Sequence, residues 1–258
     1  MSSAPALPRI EELQAPPAWR SVEFISDLHL QASDHETFDA WRRYMRSTST
    51  DAVFILGDLF DVWVGDDAAQ EPGLAADCAA VLQAAAAHAT IFLMHGNRDF
   101  LVGAGFAQAC RATLLHDPTV LVFAGRRWLL THGDSLCLAD TDYMKFRGEV
   151  RDPAWQRDFL SRPLAQRKAI GSDLRRQSEE RKGTGIEYAE VDAAAASAWL
   201  EAADAQVMIH GHTHRPADHA LGAGRSRTVL SDWDARSRPP RQEVLRLTAS
   251  GPQRVAFI

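Results

Sequence analysis

Five short apolar runs, each closing on the same kind of polar residue, constrain this chain more than any other feature. "VEFISDLH" ends in Asp27 and His29, "AVFILGD" in Asp58, "TIFLMHGN" in Asn97, "WLLTHGD" in His132 and Asp134, and "VMIHGHTH" in His212 and His214. Runs of four or five Val, Ile, Leu and Phe without alternation are read as strands covered on both faces. Helix-like stretches, Phe38–Arg46 and Leu74–His88, separate several of them. Strand and helix alternating in this way predict βαβ units in a layered α/β fold. Gly57, Gly96, Gly133 and Gly211 lie at the ends of the runs and allow sharp turns as the chain leaves a sheet. The polar residues then sit just past strand C-terminal ends, where open α/β sheets bind ligands. Any one of them is accounted for as a turn residue or helix cap. Five strands delivering Asp, Asp, Asn, His and His-x-His to one rim are not.

The length of 258 residues allows one large domain or two small ones. Apolar residues make up 46% and charged residues 24%, ordinary for a soluble globular protein. The net charge of −6 gives no global sign of a nucleic-acid partner. Cys78, Cys110 and Cys137 are scattered without CxxC spacing, which argues against a structural zinc site or disulfide framework and fits a reducing cytosol. Residues 1–20 carry four prolines and no apolar core, and are expected to be a disordered leader rather than a secretory signal. Residues 21–258 then form the domain. The most membrane-like window, Cys78 to Met94, is broken by Gln83, His88 and Thr90. A spanning helix needs about 20 apolar residues, so this window is read as a helix running into a strand.

Between "WLLTHGD" and "VMIHGHTH" the texture changes. Lys145 to Lys182 holds eleven Lys or Arg against six Asp or Glu, a local excess of five positive charges. Phe146/Val150 and Trp155/Phe159 are i, i+4 pairs, so the stretch is expected to be helical and amphipathic. Its place between two ligand-bearing strands makes it an insertion over the rim. It is either a cover whose apolar side accepts a ligand or a solvated helix pair packing on the body.

Asp27, Asp58, His29, Asn97, His132, His212 and His214 offer two carboxylates, one amide oxygen and four imidazoles. That is too many ligands for one ion and suits two, provided a carboxylate bridges. With no thiolate present, mixed N/O sites suit manganese(II), iron(II) or zinc. Two ions about 3.5–4 Å apart can make a nucleophile from water and clamp the attacking and leaving oxygens of an in-line displacement at phosphorus.

The blocks "DLH", "GDLFD", "GNRD", "HGD" and "GHTH" stand in the order of the five motifs of the calcineurin-like metallophosphoesterases, and the chain resembles that family from Asp27 to His214. The resemblance implies a layered αββα sandwich with a helical lid inserted at about residues 138–190. It gives one ion Asp27, His29, Asp58 and His214, and the other Asp58, Asn97, His132 and His212, with Asp58 as bridge. His210 has no role in the pattern and is read as a packing residue or a partner of the ligands. Many relatives carry His after the Asn of the third motif, whereas this chain has Arg98. An arginine cannot give up its proton in a protein. Arg98 is therefore read as a bidentate phosphate clamp, the alternative being a surface pair with Asp99. A site without a proton donor suits a leaving group that departs as a phosphate.

The longer blocks "GDLFDVWVGDD", "HGNRDFL", "HGDSLC" and "GHTHRPA" narrow the resemblance to the UDP-2,3-diacylglucosamine pyrophosphohydrolases of bacterial lipid A synthesis. What this implies is a manganese-dependent hydrolase with two Mn2+ ions, peripheral on the cytoplasmic face of the inner membrane. Such an enzyme attacks the α-phosphorus of UDP-2,3-diacylglucosamine and releases UMP and 2,3-diacylglucosamine 1-phosphate. The implied catalytic set is Asp58, Asn97, Arg98 and His212, and the implied substrate contacts are Asn97, Arg98, Asp140, Ser178 and His212. Ser178 follows from ungapped counting through a poorly matching lid. Where relatives carry an Asn and then a Lys after that Ser, this chain has Lys182 and Gly185, so Lys182 or Arg181 would supply the charge differently. In the lid reading, Phe146, Val150, Trp155 and Phe159 take acyl chains, and the basic residues meet the diphosphate and anionic headgroups. Trp63 is either pocket wall or plain core. No nucleic-acid or obligate protein partner is expected. The competing readings are another phosphoesterase of this fold, acting on nucleotides, phosphoproteins or nucleic acid, and a scaffold that has lost its metals.

Overall fold

The computed structural model describes residues 7–183 and 189–257, with the side chains of residues 178, 179 and 181–183 left out. In chain order its elements are β1 (Glu11–Gln14), β2 (Ser21–Ile25), α1 (His35–Ser47), β3 (Ala52–Leu56), α2 (Leu74–Ala85), β4 (Thr90–Met94), α3 (Ala104–Cys110) and β5 (Ala112–Leu115). They continue with β6 (Thr119–Phe123), β7 (Arg126–Leu130), α4 (Thr141–Val150), α5 (Pro153–Ser161), α6 (Leu164–Gly183), α7 (Ala193–Ala202), β8 (Val207–His210), β9 (Ala217–Gly222), β10 (Arg225–Val229), β11 (Glu243–Thr248) and β12 (Gly251–Ala256). Two six-stranded sheets result, ordered β1-β6-β7-β8-β10-β9 and β12-β11-β2-β3-β4-β5.

The unbroken apolar runs explain why the sheets stack. Along β2, β3 and β4, alternate residues point to opposite faces. Phe24, Phe54 and Phe92 point inward and meet Leu121, Trp128, Leu130 and Ile209 of the other sheet. They sit directly opposite one another in the parallel register, with ring centroids 5.1 and 4.6 Å apart and planes nearly parallel. Ile25, Val53, Ile55, Ile91 and Leu93 point outward and are covered by Trp41, Tyr44 and Met45 of α1, Cys78 and Leu82 of α2 and Phe106 of α3. On the far side, Val120, Leu129 and Met208 are covered by Trp199 and Leu200 of α7. The expected αββα layering is what the chain adopts.

The amino-terminal expectation needs correction. Residues 1–20 were expected to be a disordered leader, but Glu11–Gln14 pair in parallel with β6, and Ala15 is buried in the core between the sheets. Leu13 and Trp19 pack against that core, so Pro8, Pro16 and Pro17 did not outweigh the apolar residues between them; residues 1–6 of the expected leader lie outside the described residues.

The insertion between β7 and β8 contains α4, α5 and α6, and its charge excess is not a single basic face. Arg147 of α4 and Arg151 just past its end turn inward, to Asp134 and to the Gly96 carbonyl. Arg167 and Arg175 of α6 turn inward to Asp67 and Asp61. These four cations tie the insertion to the body. Arg162, Lys168 and Arg176 form pairs at the surface with Asp158, Glu71, Asp173 and Glu180.

Candidate functional site

Asp27, Asp58 and Asn97 lie just past the ends of β2, β3 and β4, and His132, His212 and His214 just past β7 and β8. Both sheets therefore deliver ligands to one edge. Their backbones are forced there. Asp27, His29, Asp58, His212 and His214 have φ of 54°, 46°, 54°, 68° and 53°, five of the nine described non-glycine residues in the left-handed region. Such residues cost about 1–3 kcal/mol each and persist only where their surroundings over-determine them. Amide bonds between strand ends do so: Asp27 N–H donates to the Gly57 carbonyl at 3.1 Å and His29 N–H to the Asp58 carbonyl at 3.0 Å. The β3 and β4 turns cross so closely that only glycine fits. A Cβ on Gly57, at φ +90°, would stand 2.7 Å from Gly96 Cα, and one on Gly96 would stand 2.0 Å from Asp58 Oδ1.

The side chains converge in two groups, Asp27 with His29 and His214, and Asp27 with Asp58 and His132. Within each group the donor atoms lie within 4.8 Å of one another. His29 Nε2 and His214 Nε2 face each other at 3.1 Å. Asn97 Oδ1 lies 3.0 Å from His132 Nε2 and 2.8 Å from His212 Nδ1. Asp58 reaches toward both groups, with Oδ1 3.8 Å from His132 Nε2 and Oδ2 3.8 Å from His29 Nε2. All seven expected ligands are thus gathered. The geometry gives Asp27 as central a place as Asp58, which the sequence reading made the sole bridge.

The donor set fits divalent cations. His132 Nδ1 faces the Leu56 carbonyl at 2.9 Å, so in the neutral ring the proton sits there and Nε2 presents a lone pair to Asn97 Oδ1 and Asp58. Ligating imidazoles are held in this way, by a carbonyl or carboxylate on the other ring nitrogen. Burial disfavours a charged His132, yet Asp58, Asp27 and Asp134 raise it to about 9. Burial pushes Asp58 up to about 7 against the pull of His132. Asp27 is held well below the carboxylate range, because His214, His132 and His29 outweigh its burial. Burial lowers His212 to about 3 and leaves it neutral, the form that ligates. His210 is buried too, lowered to about 4. Its Nδ1 lies 2.9 Å from the Gly211 carbonyl and its Nε2 3.1 Å from Arg227, so it turns away from the cluster as a packing residue.

Several residues of the site were assigned no part in it by the sequence, although Asp134 and Asp99 were noted there as a strand-end residue and a partner for Arg98. Asp99 is buried and accepts from the amides of Gly96 and Leu59 at 2.8 Å each and of Asp58 at 3.3 Å, so it organises the turns. Asp134 accepts from Tyr143 Oη at 2.5 Å and Arg147 Nε at 2.8 Å, which together with His132 and Arg151 hold it well below the usual range despite burial. Ser26 donates to Asp27 Oδ2 at 2.6 Å, and His212 N–H donates to both Asp27 oxygens at 3.1 and 2.9 Å. Asp61 and Asp232 stand behind His29 and His214. The second aspartate of "GDLFD" was the one available signal for Asp61.

A cavity of about 480 Å³ opens from this cluster beneath the insertion. Asn97, Arg98, Asp140 and His212 line its polar end. Trp63, Phe100, Phe146, Trp155, Phe159 and Leu174 line much of the rest, with Asp61, Asp142, Tyr143 and Arg175 as polar interruptions, and Trp155 and Phe159 are stacked at 5.0 Å. Trp63 is both wall and core, its ring 4.4 Å from Phe60 and 4.6 Å from Phe106. Val150, expected on this wall, is instead buried where α4 meets its neighbours and is not part of the lining. Asp140 has a second task, accepting from Tyr143 N–H at 3.0 Å to cap α4. Ser178 falls within α6, but its side chain, like those of Arg181 and Lys182, lies outside the described residues, as does Gly185 altogether.

A family model of the calcineurin-like phosphoesterases matches residues 21–216. A Cellvibrio japonicus protein called UDP-2,3-diacylglucosamine hydrolase is 44% identical over 216 residues, covering 81% of this chain and 90% of the relative. Proteins of the same name from Chromobacterium violaceum and Xanthomonas campestris pv. campestris are 45% identical over 223 residues and 44% over 250. Those alignments cover 83% and 88% of this chain, and 90% and 95% of the relatives. A solved archaeal phosphodiesterase aligns over 91% of this chain and 98% of its own, at 11% identity and a TM-score of 0.47.

Proposed function

The chain belongs to the calcineurin-like phosphoesterases and, among them, to the family of the UDP-2,3-diacylglucosamine hydrolases; from that premise we propose that it hydrolyses the pyrophosphate bond of UDP-2,3-diacylglucosamine. The observation that carries this reading is the cavity. One continuous space joins a cation-binding cluster and Arg98 to a long aromatic and aliphatic wall, which matches a molecule with a diphosphate at one end and acyl chains at the other.

Asp27, Asp58, Asn97 and the four histidines would hold two Mn2+ ions, which when bound would supply a nucleophile from water near neutral pH and positive charge against the phosphates. The chain's own groups do the rest. Arg98 grips non-bridging phosphate oxygens and stabilises charge as the displacement proceeds. Asn97, Asp140, Ser178 and His212 orient the nucleotide sugar. Oxygen from water bonds to the α-phosphorus, the bond from that phosphorus to the bridging oxygen breaks, and the bridging oxygen leaves with 2,3-diacylglucosamine 1-phosphate. The other product is UMP. The departing group is already an anion-stabilising phosphate and needs no proton donor, which is consistent with arginine at position 98.

In this reading α4, α5 and α6 form a lid, and the protein works peripherally on the cytoplasmic face of the inner membrane, where its substrate lies. Among the described residues no helix is long and apolar enough to cross a membrane. Leu160 and Leu174 of the insertion and Val62 beside it are exposed apolar residues, suited to a lipid surface.

The test is turnover of UDP-2,3-diacylglucosamine by protein and Mn2+ in 18O-water, beside a generic aryl phosphodiester. The expected result is UMP carrying one 18O. Label in the lipid phosphate, or turnover of the aryl ester alone, contradicts the proposal.

A further inference from the structure

The four imidazoles of the cluster are not backed alike. His132 rests its outer nitrogen on a backbone carbonyl. His29 and His214, which face each other, each turn Nδ1 toward an aspartate, 3.9 Å from Asp61 Oδ1 and 3.8 Å from Asp232 Oδ2 respectively. Each aspartate is gripped in turn by an arginine. Arg241 donates to both Asp232 oxygens at 2.9 Å, and Arg175 donates to Asp61 Oδ2 at 2.7 Å. The same Arg–Asp–His arrangement therefore occurs twice, but its arginines come from different places. Arg241 belongs to the body, nine residues from Asp232. Arg175 belongs to insertion helix α6, 114 residues from Asp61.

Asp61 is buried, and its Oδ1 makes no hydrogen bond. That oxygen needs only a shift of under about 1 Å to accept from a ring N–H. With Oδ2 held by Arg175, the carboxylate is aimed at His29. His29 in turn is held at a left-handed backbone position just past β2, with its ring Nδ1 turned toward that carboxylate.

We propose that Arg175, acting through Asp61, couples docking of helix α6 to cation binding between His29 and His214. Arg175 and Asp61 line the cavity, but neither is one of the seven candidate ligands, and in this coupling both act as positioning residues. Losing a carboxylate behind a ligating histidine costs about 10–100-fold in metal affinity. The coupling is reciprocal: the cation is held more tightly with α6 docked, and α6 is held more firmly with the cation bound. The sign of the effect identifies its cause. Removing a positive charge near a cation site would by Coulomb's law alone tighten binding, so weaker binding can come only from lost positioning. The inference rests on reading the cluster as a cation site and not on the identity of the substrate.

The experiment measures Mn2+ affinity by calorimetry and hydrogen exchange of α6 amides, both on the full chain. Asp61→Asn is expected to weaken one Mn2+ by about 10–100-fold. Arg175→Gln is expected to weaken the same ion by about fivefold or more, and Arg175→Lys to recover most of that loss. Mn2+ slows α6 exchange in the wild type and not in Arg175→Gln. Asp232→Asn weakens Mn2+ binding while leaving the α6 response intact, because its arginine is not on the insertion. Unchanged or tighter Mn2+ binding by Arg175→Gln overturns the coupling, as does α6 exchange indifferent to Mn2+ in the wild type. If Arg175→Gln does not fold, that last measurement decides alone. A wild type that binds no Mn2+ overturns the cation reading and the coupling with it.

Discussion

In the proposed reaction, Arg98 is where one residue choice would set the chemistry. Its backbone N–H donates to Asp58 Oδ1 at 2.8 Å, so the turn that places the guanidinium in the cavity is fastened to the cluster. The substitution Arg98→Ala keeps that amide and removes only the clamp. Loss of one such electrostatic stabiliser lowers kcat by about 10²–10³. Steady-state kinetics on the lipid nucleotide should show this with little change in bound Mn2+. The seven ligands were legible because Asp, Asn and His at successive strand ends have no competing structural reason to recur. The roles of Asp61, Asp99, Asp134 and Asp232 were not, because an aspartate in a loop looks the same whether it caps a turn or backs a ligand. Only the fold brings Asp232 to His214.

At the scale of elements, β2, β3 and β4 place the site by burying both faces, and their phenylalanines hold the two sheets together. Phe54 sits at the centre of that stack, so Phe54→Ala should destabilise by about 3–5 kcal/mol, read as a lowered urea midpoint. The strands and helices of the body were legible because their apolar periodicity is set by burial. Strand β1 was not: four residues of mixed polarity between prolines become a strand only because the edge of β6 stands open beside them. The insertion was legible as amphipathic helices, but its arginines read as one charged face until the fold showed four of them turned inward. Its aromatics should act on the acylated substrate alone. Trp155→Ala forfeits about 1.5–3 kcal/mol of apolar contact, a fall of roughly 10–100-fold in kcat/KM for the lipid nucleotide. Turnover of a small aryl phosphodiester should be unchanged, and an equal fall on both substrates would count against a lipid wall.

For the molecule as a whole, the layered body is a rigid frame on which the strained site depends. Its thiols report on that frame. Cys78 is raised well above the ordinary thiol range by burial, and burial pushes Cys110 and Cys137 up to about 12. A thiolate-specific reagent such as a dithiobisbenzoate should therefore label none of the three until the protein unfolds, because the thiolate is the reactive form. Labelling at a rate independent of denaturant would show that these layers open locally.

The account stands on two divalent ions held by seven side chains from both sheets, and metal stoichiometry tests that most directly. Equilibrium dialysis against Mn2+ with elemental analysis should find two ions per wild-type chain. Asp58→Ala should lose both sites at the same Mn2+ concentration, since its carboxylate lies 3.8 Å from a histidine of each group. A wild type that saturates at one ion, or an Asp58→Ala chain that still holds two, contradicts it.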